Sequence, residues 1–133
     1  MSRTPCPEHG KDRPCTCAMG KLYRFVEPLL LYLLKKQKSA YGYELVGELN
    51  THALTDSKIE RGVVYRTLRT LEKNGNVISD WDISGSGPAR RQYRLTPSGE
   101  VHLEEWVEVL GNLSRSMEHF VSEVKILLPH DRQ

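Results

Sequence analysis

Two groups of side chains are spaced to do chemistry. The first lies in "CPEHGKDRPCTC", where Cys6, His9, Cys15 and Cys17 form a C-x2-H-x5-C-x-C array. Four thiolate and imidazole donors suffice for a tetrahedral site holding one zinc ion per chain, and the prolines and glycine permit the tight turns such a short loop needs. The spacing departs from the usual zinc-finger forms. Lys11 and Arg13 beside the thiols also fit a redox-reactive set, since neighbouring cations favour the thiolate, although a reducing cytosol disfavours a stable disulfide. An irregular arm with neither role fits the same composition. Metal, redox and unstructured readings therefore stay open for this segment.

The second group is cationic. "GSGPARRQYRLTPSGE", residues 85–100, puts Arg90, Arg91 and Arg94 within five positions beside a glycine-rich loop, and Lys58, Arg61, Arg66, Arg69 and Lys73 crowd an earlier segment. Net formal charge is only +2, yet residues 1–96 carry 16 Lys and Arg against 10 Asp and Glu, while residues 97–133 carry 3 against 7. The first part would attract a polyanion and the second would repel one. No nucleophile–base–orienter set, phosphate-cradling glycine loop or paired carboxylate motif occurs, so an enzyme is not expected.

These side chains need elements to hold them. A chain of 133 residues with 38% hydrophobic content supports one modest core. Its longest apolar run, "PLLLYLL" at 28–34, is far below the ~20 residues that span a bilayer, and a cytoplasmic protein without membrane contact is expected. Residues 1–20 lack hydrophobic periodicity and read as an arm bearing the Cys/His array. Between Lys21 and Gln37, Leu22, Phe25, Val26, Leu29, Leu30, Leu33 and Leu34 recur at helical spacing, with Pro28 kinking the helix or starting its main part. A short second helix follows in "AYGYELVGELN", where Tyr41, Leu45, Val46 and Leu49 share a face and Asn50 can end it.

In the third helix, Val64, Leu68 and Leu71 make the core stripe, and Arg61, Tyr65, Arg66, Arg69 and Lys73 spread over the exposed arc. Asn74-Gly75 closes it. Two β-prone runs, "NVISDWDI" and "RRQYRLT", joined by "SGSGPA", make a hairpin with a long tip. Thr96-Pro97 opens a fourth helix, along which Leu103, Trp106, Leu110, Leu113, Met117, Phe120, Val124 and Leu127 alternate at spacings of three and four. That heptad seam predicts packing along another helix, with packing back on its own domain accounting for part of it. At about 30 residues and about 45 Å, the helix should outrun the body and seek a second copy of the chain.

Three helices followed by a hairpin with arginines at its base make a winged helix-turn-helix, so the expected fold is mainly α with a small β-hairpin. The expected divisions are the arm at 1–20, the winged domain at 21–96, and a dimerisation helix with tail at 97–133. Here "YGYEL" (41–45), "GVVYRTLRTLEKNG" (62–75) and "ARRQYRLTPSG" (89–99) resemble, in order and spacing, the three most recognisable blocks of the PadR family of transcriptional regulators, over roughly residues 20–125. The single terminal helix resembles the family's shorter branch. The resemblance implies a homodimeric repressor on a double-stranded DNA operator, with the long last helix supplying the dimer contacts. It places Gly42 and Tyr43 at the start of the first helix-turn-helix element, Tyr65 against the DNA backbone and Arg90-Arg91 in the wing. Val63 departs from it, standing where Ser or Thr is usual; valine there removes a phosphate contact or meets a thymine methyl. The resemblance further implies a planar aromatic effector bound between subunits, with Trp106 in the pocket wall; the same residue fits a plain filler of the dimer core. The metal or redox state of the arm is a second candidate input.

A winged-helix module that binds proteins and no DNA is the competing class, and salt separates the two, because phosphate contacts weaken steeply as salt rises. His52, His102, His119 and His130 are isolated in the sequence and are expected at the surface.

Overall fold

The computed structural model describes residues 25–52 and 58–129. Cys6, His9, Cys15, Cys17, Leu22 and His130 lie outside the described residues. Helix α1 spans Val26–Gln37. Pro28 is in its first turn, where the missing N–H is one that no helical carbonyl would accept, so the proline starts the helix and does not kink it. Leu29, Leu30, Leu31, Leu33 and Leu34 are all buried, which makes α1 the central rod of the core. Lys38, with φ of 71° and its N–H donating to the Leu34 carbonyl, turns the chain directly into β1, Ser39–Tyr41.

Helix α2 spans Gly42–Thr51, and Glu44 caps it by accepting from the Tyr41 N–H at 2.9 Å. Near its end the Asn50 amide accepts from the Ile59 N–H at 2.8 Å and donates to the Ile59 carbonyl at 3.2 Å, so one side chain fixes where α3 begins. Helix α3, Arg61–Lys73, buries Val63, Val64, Leu68 and Leu71. It ends through Asn74 and Gly75, and Gly75 takes the left-handed φ of 82° that glycine adopts without a Cβ penalty.

Strands β2 (Val77–Asp82) and β3 (Arg90–Leu95) form the expected hairpin, and β1 joins β3 from the other side, giving a three-stranded antiparallel sheet of order β1-β3-β2. Sequence reading missed β1, because three residues are too few for a period of two to register. Ser39–Arg94, Ala40–Tyr93 and Tyr41–Gln92 pair across β1 and β3, and β2 runs on past that support to pair Trp81 with Arg91 and Asp82 with Arg90.

Helix α4 is the 31-residue Pro97–Leu127, about 46 Å long at 1.5 Å per residue. Its cap is a three-way joint: Thr96 Oγ1 accepts from the Gly99 N–H at 3.0 Å and donates to the Gly75 carbonyl at 2.7 Å. The heptad seam divides. Leu103 and Trp106 pack against the chain's own core, and Lys35 pairs with Glu100 at 3.0 Å, so the first two seam positions are occupied within one chain. Farther along, Met117, Phe120 and Leu127 are 53%, 66% and 84% exposed.

His102 is not isolated. Its Nε2 meets Glu27 Oε1, which also accepts from the Trp106 indole N–H at 3.1 Å. His102 stands one turn before Trp106 on the side of α4 that faces α1, the position at which a polar side chain finds a partner on the neighbouring helix. His119 pairs with Glu123 on the α4 surface, and His52 meets the Tyr32 ring edge-on.

Candidate nucleic-acid interface

The helical period sorts the basic residues of α3. At 100° per residue, Arg66, Arg69 and Lys73 fall within an arc of about 60°, opposite the core stripe, while Arg61, Tyr65 and Glu72 fall within about 40° of one another on its flank. Arg66, Arg69 and Lys73 are exposed, as is Lys58 just ahead of the helix. Such an arc carries cations into solvent with no acidic residue inside it, and α3, at 10–12 Å across with its side chains, is roughly the width of a major groove.

The flank does a different job. Arg61 lies over the Tyr65 ring at 5.7 Å, and Tyr65 packs against Gly42 so closely that a Cβ there would come within 2.6 Å of its ring. Gly42 is buried and serves by admitting Tyr65, not by presenting a surface of its own. Val63 is a correction as well. It is 5% exposed and belongs to the core, so its side chain is not on the arc where a thymine methyl could meet it; α3 buries a stripe wide enough to include Val63 beside Val64.

In the wing, adjacent residues of a strand point to opposite faces, and this separates Arg90 from Arg91. On the face toward α3, Arg91 Nη2 meets Glu72 Oε1 at 3.2 Å and its Nε donates to Ser79 Oγ at 2.8 Å. The Ser79 hydroxyl donates in turn to Glu72 Oε2 at 2.6 Å. The Arg91 guanidinium also lies 5.5 Å over the ring of Trp81, which is 62% exposed. On the opposite face, Arg90 sits 4.6 Å over Tyr41 and 5.9 Å over Tyr43, and donates to Tyr43 Oη at 3.1 Å. The Tyr41 and Tyr43 rings stack at 5.7 Å with 9° between their planes. Tyr41 Oη donates to Asp82, and Arg94 pairs with Asp80 at 2.7 Å.

Hydrogen bonds from Ser84 and from Tyr41 hold the Asp82 carboxyl down at about 2, and the bond to Asp82 pushes the Tyr41 hydroxyl up. Burial pushes Tyr93 up, under the sheet. A cleft of about 210 Å³ opens between α2, α3 and the wing, lined by Tyr41, Gly42, Tyr43, Arg61, Tyr65, Arg90, Arg91 and Tyr93.

The fold thus brings Tyr43, Arg61, Tyr65, Arg90 and Arg91 to one cleft and sets Arg66, Arg69 and Lys73 beside it. Glu72, Trp81 and Asp82 escaped sequence reading, and Tyr41, expected on the apolar face of the second helix, is instead the last residue of β1. A basic cluster drew attention, whereas the acidic and aromatic groups that hold it in place lie far off in sequence. No cluster of three or more His, Cys, Asp or Glu that could hold a metal occurs among the described residues, and none of their helices is long and apolar enough to cross a membrane.

Known proteins are similar to this chain in sequence and fold. A transcriptional regulator of Mycobacterium tuberculosis is 35% identical over 77 residues, spanning 58% of this chain and 68% of its own length. A PadR-like transcriptional regulator from Bacillus cereus superposes with a TM-score of 0.63 at 30% identity, covering 75% of this chain and 94% of that one. A PadR family regulator from Eggerthella lenta gives 0.64 at 29% identity, covering 80% and 90%. Residues 30–105, more than half of the chain and including the cleft, the basic arc and the wing, match the model of the transcriptional regulator PadR-like family. With a winged helix, a cationic recognition face and that match in register, the chain belongs to the PadR-like family and is a DNA-binding transcriptional regulator, not an enzyme.

Proposed function

We propose that the chain acts as a homodimeric repressor in the cytoplasm, laying α3 in the major groove of an operator and the wing along the flanking backbone. The observation that carries this is the exposed arc of Arg66, Arg69 and Lys73 beside a cleft where Tyr43, Arg61 and Arg90 converge. The arc suits base edges, and the cleft, with guanidinium and phenol donors, suits phosphate. Arg90 and Arg91 keep unused N–H groups while stacked, because a guanidinium carries five donors. The distal seam of α4, from Leu110 through Leu113, Met117, Phe120 and Val124 to Leu127, is the proposed dimer contact; an apolar stripe of that length left in water favours a second copy of the same helix.

Two inputs could release the repressor. A planar aromatic compound between subunits would stack on Trp106, which is partly buried where α4 leaves the body. A zinc ion at Cys6, His9, Cys15 and Cys17, in the stretch of sequence that precedes α1, is the second candidate input.

The deciding experiment selects a duplex from a random pool and measures its binding across a salt series. A DNA-reading protein loses affinity on a log–log line with a slope of about −0.9 for each phosphate contacted, and Arg66→Ala with Arg69→Ala abolishes the preference for the selected duplex. A salt-independent interaction, or an unchanged preference in the double variant, refutes the reading.

A further inference from the structure

The wing extends beyond the strand that supports it. Strand β1 ends at Tyr41, which pairs with Gln92, so the last two rungs of the hairpin, Trp81–Arg91 and Asp82–Arg90, have no third strand beside them among the described residues. A two-stranded ribbon is marginal by itself in water, and the glycine- and serine-rich tip at 84–88 adds no stiffness. Position must come from side chains. On the face toward α3 the Arg91–Glu72–Ser79 triangle supplies it. On the other face, Tyr41 reaches past Arg90 to the final residue of β2 and donates its hydroxyl to Asp82, and the Arg90 guanidinium is laid against the Tyr41–Tyr43 stack.

We propose that Tyr41 and Asp82 are positioning residues of the DNA-binding surface: their hydroxyl–carboxylate bond latches the free end of the wing to the start of α2 and holds Arg90 over Tyr43 before DNA arrives. Asp82 is suited to this task and not to DNA contact, since a carboxylate near phosphate repels it; its other oxygen accepts from the Ser84 N–H at 3.0 Å and from the Ser84 hydroxyl at 2.6 Å, which anchors the turn into the wing tip. Tyr41 is suited as well. As the last residue of β1 and the one immediately before α2, it is fixed by the sheet on one side and by Glu44 on the other. With the latch made, α3 and the wing present one fixed spacing, and a duplex whose phosphates match that spacing is preferred. With it broken, the wing still attracts DNA but no longer selects where it lies.

The latch rests on the DNA-binding reading for its effect, though its existence can be measured without DNA. All variants share a Trp106→Phe background, leaving Trp81 on β2 as the sole tryptophan. Tyr41→Phe keeps the ring stack and removes only the hydroxyl. It is expected to weaken binding to the selected duplex about tenfold, the scale of one hydrogen bond to a charged group, while random duplex changes by less than about twofold and the salt slope stays the same. Trp81 fluorescence anisotropy should fall as the wing loosens.

Asp82→Asn leaves one oxygen to accept from Ser84 and an amide N–H to donate to Tyr41 Oη, so it is expected to keep part of the selected-over-random ratio and of the anisotropy; Asp82→Ala loses the same charge together with the Tyr41 and Ser84 bonds and should lose at least as much as Tyr41→Phe. The double variant Tyr41→Phe/Asp82→Ala should lose no more of the ratio than Asp82→Ala alone, since the Tyr41–Asp82 bond is already absent there. A salt slope reduced by about one in Tyr41→Phe would make its hydroxyl a phosphate contact and overturn the latch. So would additive losses, or unchanged anisotropy in both Tyr41→Phe and Asp82→Ala. A background protein that shows no preference among duplexes sinks the regulatory reading instead, and the anisotropy then decides the latch alone.

Discussion

Gly99 lies at the joint on which α4 leaves the body, and Gly99→Ala tests how tightly that joint is built. A Cβ at this position would stand 2.1 Å from the Asn76 carbonyl oxygen and 2.6 Å from Leu95 Cδ1. The nearer atom is backbone, so no rotamer change relieves the clash, and the start of α4 must retreat by more than about 1 Å to restore ordinary contact. Overpacking of this kind costs about 1–3 kcal/mol. Retreat also stretches the Thr96 N–H bond to the Asn76 carbonyl, now 3.2 Å, and the Thr96 hydroxyl bond to Gly75 at 2.7 Å, adding about 1 kcal/mol for each. A total of about 3–5 kcal/mol corresponds to a fall in Tm on the order of 10–15 °C for a domain of this size. The control is Gly47→Ala: Gly47 is in α2 and its Cβ would meet nothing within 4 Å, so better helix propensity should stabilise the protein by up to about 1 kcal/mol. Both variants are unfolded by heat and by urea at one protein concentration, because the proposed dimerisation would make the midpoint concentration-dependent. If Gly99→Ala falls within about 1 kcal/mol of wild type, the packing argument is wrong.

The remaining expectations concern function. Arg69→Ala or Arg66→Ala should cost about 1–3 kcal/mol on the selected duplex and relax preference at one base pair, because a forked guanidinium matches guanine O6 and N7 together; equal loss on every base substitution reassigns the residue to phosphate. Leu110→Glu with Met117→Glu should give monomers by light scattering that bind DNA poorly, and a stable dimer would move the interface off α4. Planar aromatic compounds should quench Trp106 in a Trp81→Phe background and weaken duplex binding together; quenching alone leaves a pocket without a regulatory role. Metal analysis should find one zinc per chain, lost in Cys15→Ser/Cys17→Ser, and retention of the metal by that variant would falsify the site.

Much of the frame was legible because it is local. Apolar residues at three- and four-residue spacing marked α1 to α4, Asn74-Gly75 and Thr96-Pro97 marked two of their ends, and the alternation of Tyr93 and Leu95 with Gln92 and Arg94 marked β3. The illegible parts depend on distance. Glu72 meets Arg91 across 19 residues and Tyr41 meets Asp82 across 41, and nothing in the sequence near either partner announces the other. Val63 was misplaced for another reason: matching a family block by position assigned it a role that burial beside Val64 removes. His102 was legible in principle, since it shares the inner side of α4 with Leu103 and Trp106, but that reading needs α1 and Glu27 already in place.

The two wing arginines show how far elementary geometry could have gone. Their adjacency invited treatment as a pair, yet a strand sends neighbours to opposite faces, and from that rule alone the two had to find different partners even where both line one cleft. Arg91 then finds Glu72 and Ser79, and Arg90 finds two tyrosines. The consequence is a test of unequal roles: Arg91→Ala frees Glu72 as an uncompensated carboxylate beside the basic arc, whereas Arg90→Ala leaves the Tyr41–Asp82 bond intact. Arg91→Ala should therefore weaken binding to every duplex, and Glu72→Gln in the same chain should recover part of the loss by removing that charge. Arg90→Ala should gain nothing from Glu72→Gln, because Arg90 rests on Tyr41 and Tyr43 while Glu72 is held by Arg91. Equal rescue of both by Glu72→Gln would mean that the arginines act as one undivided positive patch after all.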